Sequence, residues 1–249
     1  MILTGGKAYQ GYSVGIMKFE GKRYPIPPGD VANPMTYPFP VLIREIPGVN
    51  SNPYLPLTNC DGSYTEVVQN CIVEAKRLEA DGVHSIAMCC GFFSLIQPVI
   101  AAAVNIPVLT SPLIMIPIIL QMLKPDQSVV VVTASKKLLT SEFFSAVGVD
   151  INHRVTLAGL DDSEVFYSMC MGGKEISYET DDLREDVVLA IQQARKKDPK
   201  IAAVLMECTS LPPFAADVKV RTGLPVFDFI ACIEWMNRAL HPILYKGYL

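Results

Sequence analysis

Residues 85–108, SIAMCCGFFSLIQPVIAAAVNIPV, align without a gap on residues 203–226, AVLMECTSLPPFAADVKVRTGLPV. The separation is 118 residues wherever identical residues match, at Met88/Met206, Cys90/Cys208, Pro107/Pro225 and Val108/Val226. Both segments read as a strand, a cysteine, a short turn, a helix and a Pro-Val pair that opens the next strand. Two such units with shared residues at one fixed separation indicate an internal duplication.

Apolar, β-branched runs alternate with amphipathic stretches along the chain. Strands are predicted at residues 14–19, 39–46, 85–89, 106–109, 129–133, 154–158, 202–207 and 226–229, and the clearest helices at 64–80, 182–197 and 230–240. Runs such as SVVVVT lack polar alternation, which is typical of parallel strands covered on both faces. We therefore expect an α/β fold of two pseudo-symmetric lobes, each a roughly four-stranded parallel sheet flanked by helices.

The lobes are expected to divide the chain unevenly. We place the first lobe at residues 1–112 plus 225–249 and the second at 113–224, because the last strand and the C-terminal helix are expected to cross back onto the first lobe. The lobes then have 137 and 112 residues, which are ordinary domain sizes. The active site is expected in the cleft between them, beyond the C-terminal ends of the strands.

Composition argues against several classes of protein. The chain has 249 residues, half of them hydrophobic, with 21 Lys+Arg against 25 Asp+Glu and no basic stripe, so we expect no nucleic-acid partner. The uncharged stretch 99–123 contains three prolines and is better explained by a strand and a helix than by a membrane span. Its apolar helix LIMIPIILQML fits a core or a dimer interface equally, and we expect a homo-oligomer.

The seven cysteines are odd in number and contain no C-x-x-C pair, and the N-terminal residues lack the pattern of a secretory signal. We therefore expect free thiols in a reduced, cytoplasmic setting. No metal-ligand spacing is present, so no metal is expected. The three histidines, His84, His153 and His241, are far apart in sequence, and none neighbours a cysteine motif.

Cys90 and Cys208 are the candidate catalytic residues. Each follows a predicted strand and precedes a helix, whose free N–H groups favour a thiolate. Two thiols that face each other across a cleft suit the removal of a proton from one face of a carbon and its return from the other. Charge that develops on a neighbouring carboxylate needs nearby donors. The candidates are the amides that follow each cysteine, including those of Gly91 and Ser210, and the hydroxyls of Thr133, Ser135 and Thr209.

The other cysteines are interpreted as buried space-filling residues, namely Cys60, Cys71, Cys170 and Cys232. Cys89 is the neighbour of Cys90 on the predicted strand, where successive side chains point to opposite faces. We therefore expect Cys89, and its counterpart Glu207, to face away from the cleft.

The two cysteine motifs resemble those of a known family. LMECTSLPPFAADV (residues 205–218) resembles the second-cysteine motif of the aspartate/glutamate racemase superfamily, and CGFFSLIQP (residues 90–98) resembles the first. VVTASKKLL (131–139) is similar to the start of the family's second lobe, and PPGDVANPMTYPFPV (27–41) to a loop of its first. The resemblance covers nearly the whole chain.

The resemblance implies a cofactor-independent enzyme for a small carboxylate substrate. Cys90 and Cys208 would be the two acid/base residues, and Thr133, Ser135 and Thr209 would hold a carboxylate. Asn33 or Asp30 would reach the site from the first-lobe loop, although turn formation explains both residues as well.

The sequence departs from the glutamate racemase pattern, where Asn-Thr follows the first cysteine and Thr-His the second. Here Gly91-Phe92 follows Cys90, and Thr209-Ser210 follows Cys208. Our leading hypothesis is a racemase or epimerase of an amino acid or derivative that uses two cysteine bases. The alternatives are a maleate-type cis–trans isomerase or related decarboxylase, and a non-catalytic binding protein on the same fold.

Overall fold

The computed structural model describes residues 5–7, 9–21, 24–49, 62–151, 154–171 and 177–247, and only the backbone of residues 170 and 171. The strands are β1 Val14–Phe19, β2 Val41–Ile46, β3 Ser85–Met88, β4 Val108–Leu109, β5 Ser128–Thr133, β6 Val155–Gly159, β7 Ile201–Met206 and β8 Val226–Phe227. The helices are α1 Glu66–Asp81, α2 Gln97–Ala103, α3 Ile116–Met122, α4 Ser141–Ser145, α5 Glu164–Met171, α6 Thr180–Lys197, α7 Ala215–Thr222 and α8 Phe229–Leu240.

The strands form two parallel sheets of four. The first has the order β2-β1-β3-β4 and the second β6-β5-β7-β8. Apolar residues are buried on both faces of each sheet, which explains the continuous Val/Ile/Leu runs of the central strands. The predicted α/β fold of two lobes is therefore confirmed.

The strand register reproduces the internal repeat. In the first sheet Ile86 pairs with Val108, and in the second Val204 pairs with Val226, so both pairs are related by the separation of 118 residues. The duplicated sequence folds into duplicated pairing, and the ends of β3 and β7 occupy equivalent places.

The last strand departs from the expected boundary. We expected residues from 225 onward to belong to the first lobe, but β8 pairs with β7 in the second sheet. A strand belongs to the sheet with which it forms hydrogen bonds, and β8 is the edge strand of the second sheet. The chain crosses one element later, because α8 packs its buried Phe229 and Ile233 against the first sheet.

The crossing helices are exchanged between the lobes. Helix α3 follows the first sheet, yet it buries Ile116 and Ile119 against residues of β5 and β7 in the second. Helix α8 follows the second sheet and covers the first. No helix in the described residues is long and apolar enough to cross a membrane, and stretch 99–123 instead forms α2, β4 and α3.

A loop of the first lobe also contacts the second. The Val31 amide donates to the Thr209 carbonyl (3.4 Å). Gly29 has φ = +99°, and a Cβ there would lie 3.0 Å from the Cα of Pro213. Glycine is required here by both the left-handed backbone and the close approach of the second lobe.

Candidate active site

A cavity of about 240 Å³ lies between the lobes, where the central strands of both sheets end. The first lobe contributes the segment after β1 and the turn after β3, and the second contributes the segments after β5, β6 and β7. Cys90 and Cys208 both line this cavity, as predicted for ligand sites at the carboxyl ends of parallel strands.

The two cysteines begin equivalent turns. The Phe93 amide donates to the Cys90 carbonyl (3.1 Å), and the Leu211 amide donates to the Cys208 carbonyl (3.2 Å). A 3-10 helix, Gly91–Ile96, follows the first cysteine, and a shorter one, Pro212–Phe214, follows the second. Both thiols are partly exposed to the cavity, so both can reach a bound molecule.

The surroundings of Cys90 favour its thiol form. Burial, followed by the charges of Glu207 and Cys208, raises the pKa of Cys90 well above its ordinary value. A hydrogen bond from the Phe92 amide acts in the opposite direction and lowers this pKa. The expected helix-start amide is therefore present, but burial and neighbouring negative charge outweigh it.

Cys89 and Glu207 belong to the cavity wall, although both are buried. Cys89 is 5% exposed and packs in the core of the first lobe, and Glu207 has no exposed surface. The Cys89 amide donates to Met17 O and the Glu207 amide to Val132 O, both at 2.8 Å, so the two positions are structurally equivalent.

Glu207 is a buried carboxyl that sequence reasoning had set aside. Its side chain is fully buried, and its Oε2 accepts a hydrogen bond from the Thr133 hydroxyl (2.8 Å). Oε1 has no hydrogen-bond partner among the described residues. Burial raises the pKa of Glu207 to about 7, although the Thr133 bond lowers it. The sequence did signal this residue, as a charge directly after an apolar strand.

Gly91 lies against this carboxyl. A Cβ on Gly91 would be 1.9 Å from Oε1 of Glu207 and 2.5 Å from its carbonyl oxygen. The residue that follows the first cysteine is therefore a glycine because Glu207 occupies the space of a side chain. This contact explains why residue 91 is glycine, independently of its predicted role in substrate binding.

The predicted carboxylate-binding hydroxyls already have partners. Thr133 is buried and donates to Glu207, and the Ser135 hydroxyl in the cavity wall donates to Asp161 Oδ1 (2.5 Å). Thr209 lines the cavity, and its hydroxyl lowers the pKa of the neighbouring Cys89, a pKa that burial holds well above its ordinary value.

Asp30 in the first-lobe loop is hydrogen-bonded to the turn that follows Cys208, outside the cavity wall. Ser210 donates to Oδ2 of Asp30 (2.8 Å), and Oδ1 of Asp30 accepts from the Ala32 amide (2.8 Å). Burial raises the pKa of Asp30 to about 6, which these two bonds partly oppose. Asn33 caps a 3-10 turn through Met35 N and lies outside the cavity wall, as do Asp30 and Ser210.

Sequence reasoning missed an aromatic wall and one acidic group. The aromatic side chains of the cavity are Phe19, Tyr24, Phe92, Phe166 and Tyr167. Asp161 also lines it. Burial would raise the pKa of Asp161, but hydrogen bonds from Ser135 and from two backbone amides outweigh burial and lower it. No local pattern connects these residues, which come from four separate segments.

The remaining cysteines and histidines whose side chains are described lie away from the cavity. Cys71 and Cys232 are buried among apolar side chains, whereas Cys60, the side chain of Cys170 and His153 fall outside the described residues. His84 and His241 stack on each other near the start of β1. Among the residues that the structure describes, no group of three or more ligand-type side chains could hold a metal ion.

Comparisons with known proteins agree with this architecture. The Asp/Glu/hydantoin racemase family model matches residues 44–236. Dimethylsulfoniopropionate lyase of Durusdinium sp. clade D is 29% identical over 231 residues, which are 91% of this chain and 74% of that protein. Dimethylsulfoniopropionate lyase 3 of Emiliania huxleyi is 29% identical over 238 residues, 92% of this chain, and the chain spans 60% of that relative's length.

Solved structures share the fold at low sequence identity. Glutamate racemase from Bacillus anthracis superimposes with a TM-score of 0.59 at 12% identity, over 94% of this chain and 83% of that one. The family model covers most of the residues that form both sheets and both cysteine turns. The chain therefore belongs to the Asp/Glu/hydantoin racemase family.

Proposed function

We propose that the protein is a cofactor-independent lyase that removes a proton from the carbon next to a carboxylate. The sulfonium substituent on the following carbon then leaves as a neutral sulfide. The observation that carries the proposal is that Cys90 and Cys208 share one cavity with Asp161 and with aromatic side chains suited to a cation. A thiolate within reach of a bound molecule is a suitable base for such a carbon acid.

The cavity wall favours a substrate that also carries a positive charge. Of the five aromatic side chains in the wall, Phe19, Tyr24 and Tyr167 keep exposed surface. Aromatic faces attract cations, including sulfonium and ammonium groups. Asp161 lies in the same wall, and its lowered pKa keeps it negatively charged. Lys137 also lines the cavity and offers positive charge to a carboxylate, whereas Lys18 in the same wall pairs with Glu45 (2.6 Å).

Dimethylsulfoniopropionate, the compound in the names of the similar lyases, has both features. A cysteine takes a proton from the carbon beside the carboxylate, and the C–H electrons form the new double bond. The C–S bond breaks, and its electrons leave on dimethyl sulfide. The products are acrylate, dimethyl sulfide and a protonated cysteine, which returns its proton to water, so the step needs no redox partner.

The direct test is incubation of the purified chain with dimethylsulfoniopropionate. We expect dimethyl sulfide in the headspace and equimolar acrylate by NMR. Cys208→Ala and Cys90→Ala should each lower the rate at least about a hundredfold. Cys71→Ala, a change in a buried thiol outside the cavity, is the matched control and should keep the rate. Absence of both products under all conditions would refute the proposal.

A racemase or epimerase is the second candidate, and the equivalence of the two cysteines favours it. Such an enzyme would place solvent deuterium at the α-carbon of a carboxylic or amino acid in D2O without forming acrylate. A maleate-type isomerase would instead leave a covalent adduct on one cysteine, detectable by mass spectrometry. If both cysteine variants left every activity and ligand affinity unchanged, the chain would be a binding protein.

A further inference from the structure

Glu207 is a buried carboxyl for which the reaction above has no use. Its side chain has no exposed surface, so it cannot contact a substrate directly and must act through a neighbour. Its Oε2 is held by Thr133, and its Oε1 has no hydrogen-bond partner among the described residues. An unpaired buried carboxyl oxygen is costly, which makes this residue a candidate for function.

The neighbour through which Glu207 can act is Cys90. Oε1 occupies the space of a side chain at Gly91, directly beside the first cysteine. The charge of Glu207 is the largest influence on the pKa of Cys90 after burial. In the described structure, burial and the Thr133 bond are the influences on Glu207 itself, and no basic side chain contributes.

A buried site of this kind accommodates one negative charge far better than two, because the charges repel each other in surroundings of low polarity. The charge resides on the more acidic group. Glu207 titrates at about 7, whereas the pKa of Cys90 lies well above the ordinary value for a thiol. When Glu207 carries that charge, the proton therefore stays on Cys90.

The internal repeat places a thiol, not a carboxyl, at the equivalent position beside the second cysteine. The position equivalent to Glu207 is Cys89, which contacts Thr209 and lies close to Cys208. Burial raises the pKa of Cys89 well above its ordinary value, so this neighbour is a neutral thiol. The position beside Cys90 thus holds a carboxyl, and the equivalent position beside Cys208 holds a thiol. The carboxyl on that side, Asp30, is bonded to the Ser210 hydroxyl and raises the pKa of Cys89.

We propose that Glu207 is a positioning residue that keeps Cys90 in its thiol form and leaves proton abstraction to Cys208. This role assignment rests on the proposed function. Elimination needs only one base, and a thiol on the opposite side can donate a hydrogen bond to the substrate carboxylate. A two-base racemase would instead need both cysteines to exchange roles, which Glu207 prevents.

The test measures thiol reactivity without any substrate. The native protein is alkylated with iodoacetamide across a pH series, and each cysteine is quantified by peptide mass spectrometry. We expect Cys208 to react at lower pH than Cys90. Glu207→Gln keeps the size and the acceptor for Thr133, and it should lower the midpoint of Cys90 by at least about one pH unit. Below the midpoint this is about a tenfold faster reaction.

Glu20→Gln is the matched control, because Glu20 also lines the cavity but bonds to the Gly48 amide, away from Cys90. Glu20→Gln should leave the midpoints of both cysteines unchanged. Glu207→Asp, which retains a carboxyl, should keep much of the native order in which the two cysteines react. If Glu207→Gln does not fold, Thr133→Val serves instead and should give a smaller downward shift. The proposal is overturned if Cys90 reacts first in the native protein, or if its midpoint does not fall in these variants.

The outcome is separable from that of the lyase assay. An expected alkylation order without any dimethyl sulfide would refute the proposed reaction but leave the asymmetry of the two thiols intact. Turnover of dimethylsulfoniopropionate with an unchanged Cys90 midpoint in Glu207→Gln would refute the role of Glu207 alone.

Discussion

At the scale of single residues, the two residues that follow each central strand differ in their exposure to the cavity. Cys89 and Glu207 were expected to face away from the cleft because strand neighbours alternate. Both are buried beside the partly exposed cysteines, and their amides continue the hydrogen bonds of the two strands. The repeat was sufficient to bring the two cysteines to equivalent strand ends, but the sequence did not predict that Glu207 packs against Gly91.

Gly91 provides a prediction at this scale. Gly91→Ala should destabilise the protein by about 2 kcal/mol or more, because the added Cβ overlaps both the carboxyl and the carbonyl of Glu207. Equilibrium unfolding in urea measures this loss. Gly5→Ala, where a Cβ meets nothing within 4 Å, should change the free energy of unfolding by less than about 0.5 kcal/mol. Equal stabilities of the two variants would contradict the packing described.

At the scale of elements, the strands followed the apolar runs closely, and β1 was predicted at its observed bounds. The aromatic wall was not predictable, because its side chains come from segments that only the tertiary fold brings together. The strand β8 was assigned to the wrong sheet, since its sequence does not say which of two equivalent edges it joins.

The loop that carries Asp30 predicts a pH dependence. The folded-state pKa of Asp30 is about 6, above the ordinary value of 3.8, so the folded protein binds more protons than the unfolded chain between these values. Stability should therefore fall as the pH rises from about 4 to 6, by at most about 3 kcal/mol from this group.

Asp30→Asn should remove that part of the slope, as measured by urea unfolding at several pH values. Glu207, with a pKa of about 7, adds a slope of the same sign that extends further towards neutral pH. Asp126→Asn, on an exposed turn, is the control and should retain the native slope. An Asp30→Asn variant with the native slope would show that the carboxyl is not buried in solution.

Helix α8 predicts a large effect at one position and a small one at another. Phe229 is fully buried against the first sheet, so Phe229→Ala should cost about 3–5 kcal/mol. Trp235 on the same helix is 59% exposed, and Trp235→Ala should stay within about 0.5 kcal/mol. Thermal unfolding followed by circular dichroism would separate the two, and similar losses would argue against the packing of this helix.

At the scale of the whole molecule, exchanged helices and a loop connect the two lobes on either side of the cavity. Each lobe receives a helix from the other, and the loop at residues 24–37 crosses to Thr209 and Ser210. We expect one cooperative unfolding transition by calorimetry rather than two. Two separated transitions would show that the exchanged helices couple the lobes only weakly.

The exchanged helices have a consequence for the order of the chain. The end of α8 lies beside the start of β1, since His241 Nδ1 is 3.2 Å from the Ser13 hydroxyl, just as α3 directly precedes β5. The two halves of the chain are topologically equivalent. One connection between them is the segment from α3 to β5, and the equivalent connection, from α8 to β1, is open. A circular permutant with residue 241 linked to residue 13 and new ends at Pro125 and Asp126 should therefore fold to the same architecture.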